Sequence, residues 1–157
     1  MEPTPLVIIV VGAGQLGSRY LQGLIKCSKK LDIYVIDIDP KALLVAKKRC
    51  IELVDVDKLD KFVHFYEDIR ECPKKVDLAI ISTTARKRVE LVAYIKKHLM
   101  VRYWIVEKLL AQSSTELDKL SKILSGAKTW VNTPRRMLPW HKQIRTSLIK
   151  QAPLHLK

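Results

Sequence analysis

The stretch Val10-Val11-Gly12-Ala13-Gly14-Gln15-Leu16-Gly17 closes an apolar run that begins at Leu6. The run is rich in β-branched residues and lacks polar alternation, the pattern of a strand buried on both faces. Three glycines in a G-x-G-x-x-G spacing then open a segment with Leu16, Tyr20, Leu24 and Cys27 on one helical face. In a strand–turn–helix context each glycine has a separate use. Gly12 allows the turn, Gly14 lets the backbone approach a pyrophosphate, and Gly17 lets the helix pack close to the strand. The helix N-terminus adds unpaired N–H groups and a partial positive charge for an anion. Outside that context the motif marks only a tight turn, so the flanking sequence decides.

Working outward, apolar runs and helical patterns alternate. Ile33–Ile36 predicts a second strand. Asp39-Pro40 supplies an N-cap and a first-turn proline for a helix to about Cys50. Phe62–Tyr66 and Val76–Ser82 predict the third and fourth strands. A helix from about Arg86 to Lys97 leads to a fifth strand at Tyr103–Val106. Ser113-Ser114-Thr115-Glu116 matches a capping box, and Gly126 closes the helix that it opens. A sixth strand at Thr129–Val131 and a last helix from Pro139 to about Ile149 complete the pattern. This alternation predicts an α/β fold: a doubly wound, mostly parallel six-stranded Rossmann sheet with helices on both faces. The expected organisation is one dinucleotide-binding domain over residues 1–150 and a tail at 151–157.

Composition sets limits on function. The 157 residues are 48% hydrophobic, which places the chain among globular domains. No apolar run approaches the length of a membrane span, and Leu6–Val11 lacks the basic lead-in of a signal peptide. Cys27, Cys50 and Cys72 are odd in number and form no C-x-x-C pair. This points to a reducing, cytoplasmic setting without a disulfide framework or metal site. With 29 Lys and Arg against 16 Asp and Glu, the net charge is +13. The basic residues are scattered, with local groups at Arg86/Lys87/Arg88 and Arg135/Arg136. No nucleic-acid motif accompanies them, so the charge reads as a solvated surface or a non-specific polyanion attraction.

Asp37 follows the second strand about 20 residues beyond the glycine loop, where a carboxylate accepts hydrogen bonds from the adenosine ribose. It also repels a ribose 2′-phosphate, which favours NAD over NADP, while Lys41 partly offsets that repulsion. Gln15 and Leu16 lie inside the motif and count with Gly12, Gly14, Gly17 and Asp37 as cofactor-binding positions. Lys108, after the fifth strand and beside Glu107, falls at the carboxyl end of the sheet where ligands bind; a surface Glu–Lys pair is the alternative reading. His64, His98, His141 and His155 form no recognisable sequence pair with a carboxylate and read as structural or solvated. Trp104, Trp130 and Trp140 read as core or interface residues. No Tyr-x-x-x-Lys pair, Walker lysine or G-x-S-x-G elbow is present.

The ordered segments VVGAGQLGSRYLQGL, YVIDIDPKA, VDLAIISTTARKRVELV, WIVEKLLAQSSTELDKL and VNTPRRMLPWHKQI resemble the N-terminal NAD(P)-binding domain of the Gfo/Idh/MocA oxidoreductases. The resemblance implies that Ser82, Thr83 and Thr84 lie along the cofactor. It also implies that EKL corresponds to a Glu-Lys-Pro signature whose Glu107 and Lys108 serve catalysis near the nicotinamide. Two positions depart from the family pattern. Leu109 replaces the signature proline, and Arg88 stands where a histidine is common. The family continues into a substrate domain built on an antiparallel sheet, and residues 151–157 look like the approach to it. The resemblance thus implies an oxidoreductase module for a sugar or sugar-derived hydroxyl, with the last segment similar to members associated with surface-polysaccharide sugars, a dinucleotide partner, scope for a homo-oligomer, and little turnover from these residues alone. A second reading is a regulatory nucleotide-sensing domain like the RCK domains, which share a GAGQxG loop and an IDxD strand end. A third is non-specific polyanion binding.

Overall fold

The computed structural model describes residues 4–150, except for the side chains of Arg135, Arg136 and Lys150. Six strands form one sheet: β1 (Leu6–Val11), β2 (Leu31–Ile36), β3 (Val63–Tyr66), β4 (Lys75–Ile81), β5 (Met100–Glu107) and β6 (Lys128–Asn132). Their order is β3-β2-β1-β4-β5-β6, and every pairing is parallel. The expected doubly wound sheet is therefore all-parallel. β1 lies at its centre, with Val11 in register with Ile36 on one side and Ile81 on the other. That position explains why Leu6–Val11 shows no polar alternation: Ile8 to Val11 are buried whichever face they point to.

The helices divide between the two faces. α1 (Gln15–Ile25), α2 (Pro40–Ile51) and the short α3 (Val56–Leu59) cover one face, where Leu21, Leu43, Ala46 and Leu59 pack on Ile8, Val10, Ile33 and Val35. α4 (Arg88–His98) and α5 (Ser114–Ile123) cover the other, where Val92, Ile95 and Leu120 pack on Ile9, Ala79, Trp104 and Val106. Each large aliphatic side chain buried in these clusters stabilises the fold by about 1.5–3 kcal/mol. A final helix, α6 (Pro139–Lys150), follows a 3-10 turn at Pro134–Met137.

The helix starts follow their predicted chemistry. The Asp39 side chain accepts from Lys41 N at 2.9 Å, with Pro40 at the first helical position of α2. Ser113 Oγ accepts from Glu116 N at 3.2 Å, but the Glu116 carboxylate reaches back to Gln112 N at 2.8 Å, one residue earlier than in a standard capping box. Several limits shift. α4 begins at Arg88 rather than Arg86, because Lys87 takes a left-handed conformation (φ 57°). β5 runs three residues further at its start than the apolar pattern indicates. α3 and a 3-10 turn at Ile69–Glu71 fall in stretches too short to show a periodicity. The tail expected at residues 151–157, with His155, lies outside the described residues.

Candidate functional site

The glycine loop joins β1 to α1 at the carboxyl end of the central strand. Gly12 sits at φ +99° and its N–H donates to Ile36 O at 2.8 Å, tying the turn to β2. A side chain at Gly17 has no room: its Cβ would lie 1.8 Å from Gly12 O. Gly14 is the opposite case, with nothing within 4 Å of a Cβ built there. It is the N-cap of α1, makes no side-chain cap, and no acidic residue occupies the first turn. The start of α1 thus combines room at Gly14 with the absence of a side-chain acceptor at the cap, as an anion-binding helix start requires.

Asp37, just beyond β2, is fixed against this loop. Its Oδ2 accepts from Ala13 N at 2.7 Å and its Oδ1 from Asp39 N at 3.0 Å. The carboxylate is thus oriented by two backbone amides, and each oxygen keeps a second lone pair for another donor. Across the sheet, Ser82 Oγ donates within the loop, lying 2.9 Å from Val11 O and 2.7 Å from Gly12 O. Thr83 packs its methyl against Gly12, and its hydroxyl is buried with no hydrogen-bond partner. Thr84 is exposed.

Between these elements lies a cleft of about 470 Å³ lined by Gly12, Asp37, Ile38, Ile69, Thr83 and Leu91, among others. Ile38 is 89% exposed, an apolar surface beside the oriented carboxylate. The rim carries charges of both signs, Glu67 and Asp68 against Arg86 and Lys87. The Arg70 side chain beside Asp68 holds that carboxyl down at about 2, so the two form an ion pair on the rim. Gly14 and Gln15 border a second, shallower hollow with Asp39, Lys41 and Arg49. Leu16 is half-exposed on α1.

At the far end, β5 delivers Glu107 and Lys108. Glu107 is only 4% exposed. Its Oε1 accepts from the Tyr20 hydroxyl of α1 and from Asn132 Nδ2 of β6. Burial first, and then the hydrogen bond to Glu107 and its charge, push the Tyr20 phenol well above its ordinary value, so it remains a donor; the Asn132 hydrogen bond acts in the opposite sense. Lys108 and Leu109 are exposed, and the peptide between them is cis. Beneath them lies Arg88, 1% exposed on the first turn of α4. Its guanidinium donates to the carbonyls of Thr83, Glu107 (2.5 Å), Leu109 and Leu110 (3.4 Å). Burial lowers its pKa from the ordinary guanidinium value, while the nearby Glu107 acts against that shift. One buried cation thereby joins the loop after β4 to the loop after β5.

The residues singled out in the sequence fall into two groups. Gly12, Gly14, Gly17, Asp37, Ser82 and Thr83 converge on one end of the sheet. Glu107 is turned inward, to Tyr20 and Asn132, and Lys108 outward. His64, read as unpaired, bonds Asp32 at 2.9 Å through its Nε2 and packs on the Tyr34 ring, away from this site. Of the tryptophans, Trp104 is core, whereas Trp130 and Trp140 are exposed. Among the described residues no group of His, Cys, Asp or Glu is arranged to hold a metal. No helix there is long and apolar enough to cross a membrane.

The TrkA-N domain model matches residues 8–133, from β1 through the end of β6. The chain belongs to the TrkA-N domain family. No curated protein matches it. Among solved structures, this TrkA-N domain superposes on myo-inositol 2-dehydrogenase from Lactobacillus plantarum with a TM-score of 0.69 at 18% identity, over 94% of this chain and 42% of that one. The WlbA dehydrogenase from Chromobacterium violaceum, in complex with NADH and UDP-GlcNAcA, gives 0.74 at 14% identity, over 96% and 41%. The transcriptional regulator Gal80p from Kluyveromyces lactis gives 0.70 at 19%, over 93% and 37%. These likenesses establish the fold, and the chain spans about two fifths of the length of the proteins compared.

Sequence reasoning missed three residues of the TrkA-N domain's site: Arg88, Tyr20 and Asn132. Arg88 stood in a basic triplet, a pattern that reads as solvated. Its signal was the apolar neighbourhood, Val89 and Val92, which places that helical face on the core. Tyr20 and Asn132 lie 112 positions apart and meet only through the sheet.

Proposed function

We propose that this TrkA-N domain is the dinucleotide-binding unit of an NAD-dependent oxidoreductase that acts on a sugar or sugar-derived hydroxyl. The observation that carries the reading is the open amide cradle at Gly14 sharing one strand-end with the oriented Asp37 carboxylate. A pyrophosphate fits the cradle, because the site has room at Gly14 and no side-chain acceptor at the helix cap. The ribose hydroxyls belong at Asp37, and the adenine on the apolar shelf of Ile38 in the 470 Å³ cleft. The orphaned Thr83 hydroxyl fits a donor or acceptor from the same ligand. Asp37 disfavours a 2′-phosphate, so NAD is preferred to NADP.

A bound nicotinamide supplies the hydride-accepting ring. Lys108 stands at the matching strand-end, exposed and free to approach a substrate hydroxyl, where its ammonium hydrogen-bonds or exchanges a proton. Glu107 acts from beneath, fixing α1, β5 and β6 around that residue rather than touching the substrate. Turnover calls on a substrate-side acid or base that the family resemblance assigns to a further domain, so residues 1–150 account for binding of the cofactor. The expected setting is the cytoplasm. Calorimetry with NADH and NADPH tests this reading: saturable NADH binding, tighter than NADPH, supports it, and no heat at millimolar cofactor removes its basis.

The match to the TrkA-N model favours a second reading, a regulatory domain that senses a nucleotide without redox chemistry. It uses the same cradle. A nucleotide-dependent change of association state, with no oxidation of any sugar tested with NAD and an added substrate domain, selects it.

A further inference from the structure

Arg88 is a buried cation with an unusual set of partners. Among the described residues its hydrogen bonds all go to main-chain carbonyls, and no carboxylate accepts from it. Its Nε is buried without a partner. Taking a guanidinium out of water is costly, and hydrogen bonds to neutral carbonyls offset only part of that cost. What the placement achieves is geometric. Nη2 donates to Thr83 O on the loop after β4, while Nη1 donates to the carbonyls of Glu107 and Leu109 after β5. Those two residues flank Lys108, so the main chain is held on both sides of it while its side chain stays exposed.

Little else holds that segment. Residues 108–112 lie in neither helix nor strand, and among the described residues no main-chain hydrogen bond of the loops and turns involves them. The bond from Gln112 N to the Glu116 carboxylate secures the far end only. The other side of the clamp faces the nucleotide cleft. Thr83 packs its methyl against Gly12, lines the 470 Å³ cleft with it, and has a buried hydroxyl without a partner.

We infer that Arg88 is a positioning residue: it fixes Lys108 relative to Thr83 and carries a change at the occupied cleft to the Lys108 segment. The relay rests on the nucleotide-binding reading for its ligand, a pyrophosphate-bearing nucleotide, whereas the clamp exists without one. The guanidinium is planar, so its two terminal nitrogens cannot move independently. A ligand that pairs the Thr83 hydroxyl displaces the Thr83 carbonyl, and the rigid fork passes that displacement to the carbonyls on each side of Lys108. A lysine in this place keeps the positive charge, but its single ammonium has no second arm with which to join the two loops.

The test is amide-resolved NMR of the labelled 157-residue chain, titrated with ADP, for the wild type and Arg88→Lys. ADP carries the adenosine and the pyrophosphate but no nicotinamide, so a response at Lys108 owes nothing to a nicotinamide contact. In the wild type, residues 107–110 are expected to shift on the same isotherm as Gly12 to Gly17. In Arg88→Lys the glycine turn still responds saturably, while the shifts at residues 107–110 are lost. Before nucleotide is added, the heteronuclear NOE at residues 108–110 matches that of β5 in the wild type and falls in Arg88→Lys, a loosening on the ps–ns timescale. Residues 107–110 that ignore bound ADP in the wild type, or follow it equally in Arg88→Lys, overturn the relay. An NOE profile that the substitution leaves unchanged overturns the clamp, even if the urea midpoint falls, because that pattern is a purely structural arginine. A glycine turn that does not respond to ADP refutes the nucleotide reading and the relay with it, and the ligand-free NOE still decides the clamp. Should Arg88→Lys fail to fold, the wild-type titration alone overturns the relay if residues 107–110 stay unmoved.

Discussion

Gly17→Ala and Gly14→Ala form a pair whose contrast separates a structural glycine from a binding one. At Gly17 the added methyl would start 1.8 Å from Gly12 O and 2.9 Å from Gly12 C. Real Cβ contacts essentially never fall under 3.0 Å, so α1 must move off the loop by roughly 1.2 Å. Neither partner can yield cheaply, since one is backbone in a turn and the other a helix packed on the sheet. Overpacking of this kind costs about 1–3 kcal/mol, and the position of the clash argues for the upper half of that range. For a chain of this size that is a fall in Tm of roughly 4–12 °C. The displaced α1 also carries the amide cradle away from β1, so nucleotide binding weakens as well. Gly14→Ala places its methyl in open space, on extended backbone that alanine adopts. The poorer N-cap costs about 0.5–1 kcal/mol, and the lower entropy of the unfolded chain returns about as much. Its Tm therefore stays within a few degrees of wild type, but the methyl fills the cradle and weakens NADH binding at least ~10-fold, about 1.4 kcal/mol. Differential scanning fluorimetry and calorimetric titration on both variants read the two effects. A Gly14→Ala chain that melts and binds NADH like the wild type refutes the cradle, whatever Gly17→Ala does.

Other substitutions probe the rest of the site. Asp37→Ala removes the acceptor of the Ala13 and Asp39 amides; hydrogen bonds to a charged group contribute about 1.5–3 kcal/mol, so NADH binding drops while NADPH loses less, which parallel titrations detect. Arg88→Met leaves the Thr83, Glu107, Leu109 and Leu110 carbonyls without their shared donor and lowers stability by about 3 kcal/mol in urea unfolding, an unchanged midpoint counting against the bridge. Lys108→Ala, at an exposed position, shifts urea stability by no more than about 0.5 kcal/mol. Thiol titration of the folded chain finds one fast group, Cys27, because Cys50 and Cys72 are buried and held up at about 11 and about 12. These raised values, with Tyr34 at about 12, mean that the folded state keeps protons the unfolded chain releases near pH 9–10. Their contribution to stability is complete below that range and is lost as pH rises towards about 12, so unfolding midpoints should fall across it.

Where the sequence was legible, a local physical rule was strong. A buried central strand cannot alternate polar and apolar residues, and Leu6–Val11 does not. A turn at φ +99° and a helix backed onto a carbonyl both demand glycine, and Gly12 and Gly17 meet those demands within six residues. Asp39 and Ser113 cap their helices by bonds that span only two or three residues. The illegible parts depend on partners far apart in the chain. Glu107 looked like the neighbour of Lys108, yet its carboxylate answers to Tyr20, 87 residues away. Arg88 looked like one cation in a basic triplet, but four carbonyls from two loops make its burial tolerable. The start of β5 was missed because Met100–Arg102 reads as a helix exit until Lys75 and Val76 are set beside it.

In the proposed function the Gly12–Gly17 turn and Asp37 together receive a dinucleotide. The most direct measurement is an amide-resolved NMR titration of the isotopically labelled chain with NADH. Saturable shifts at Gly12 to Gly17 and at Asp37 to Asp39, with Thr83 following on the same isotherm, are the predicted result. Shifts that never saturate at millimolar NADH, or that saturate only at lysines and arginines remote from this turn, contradict it.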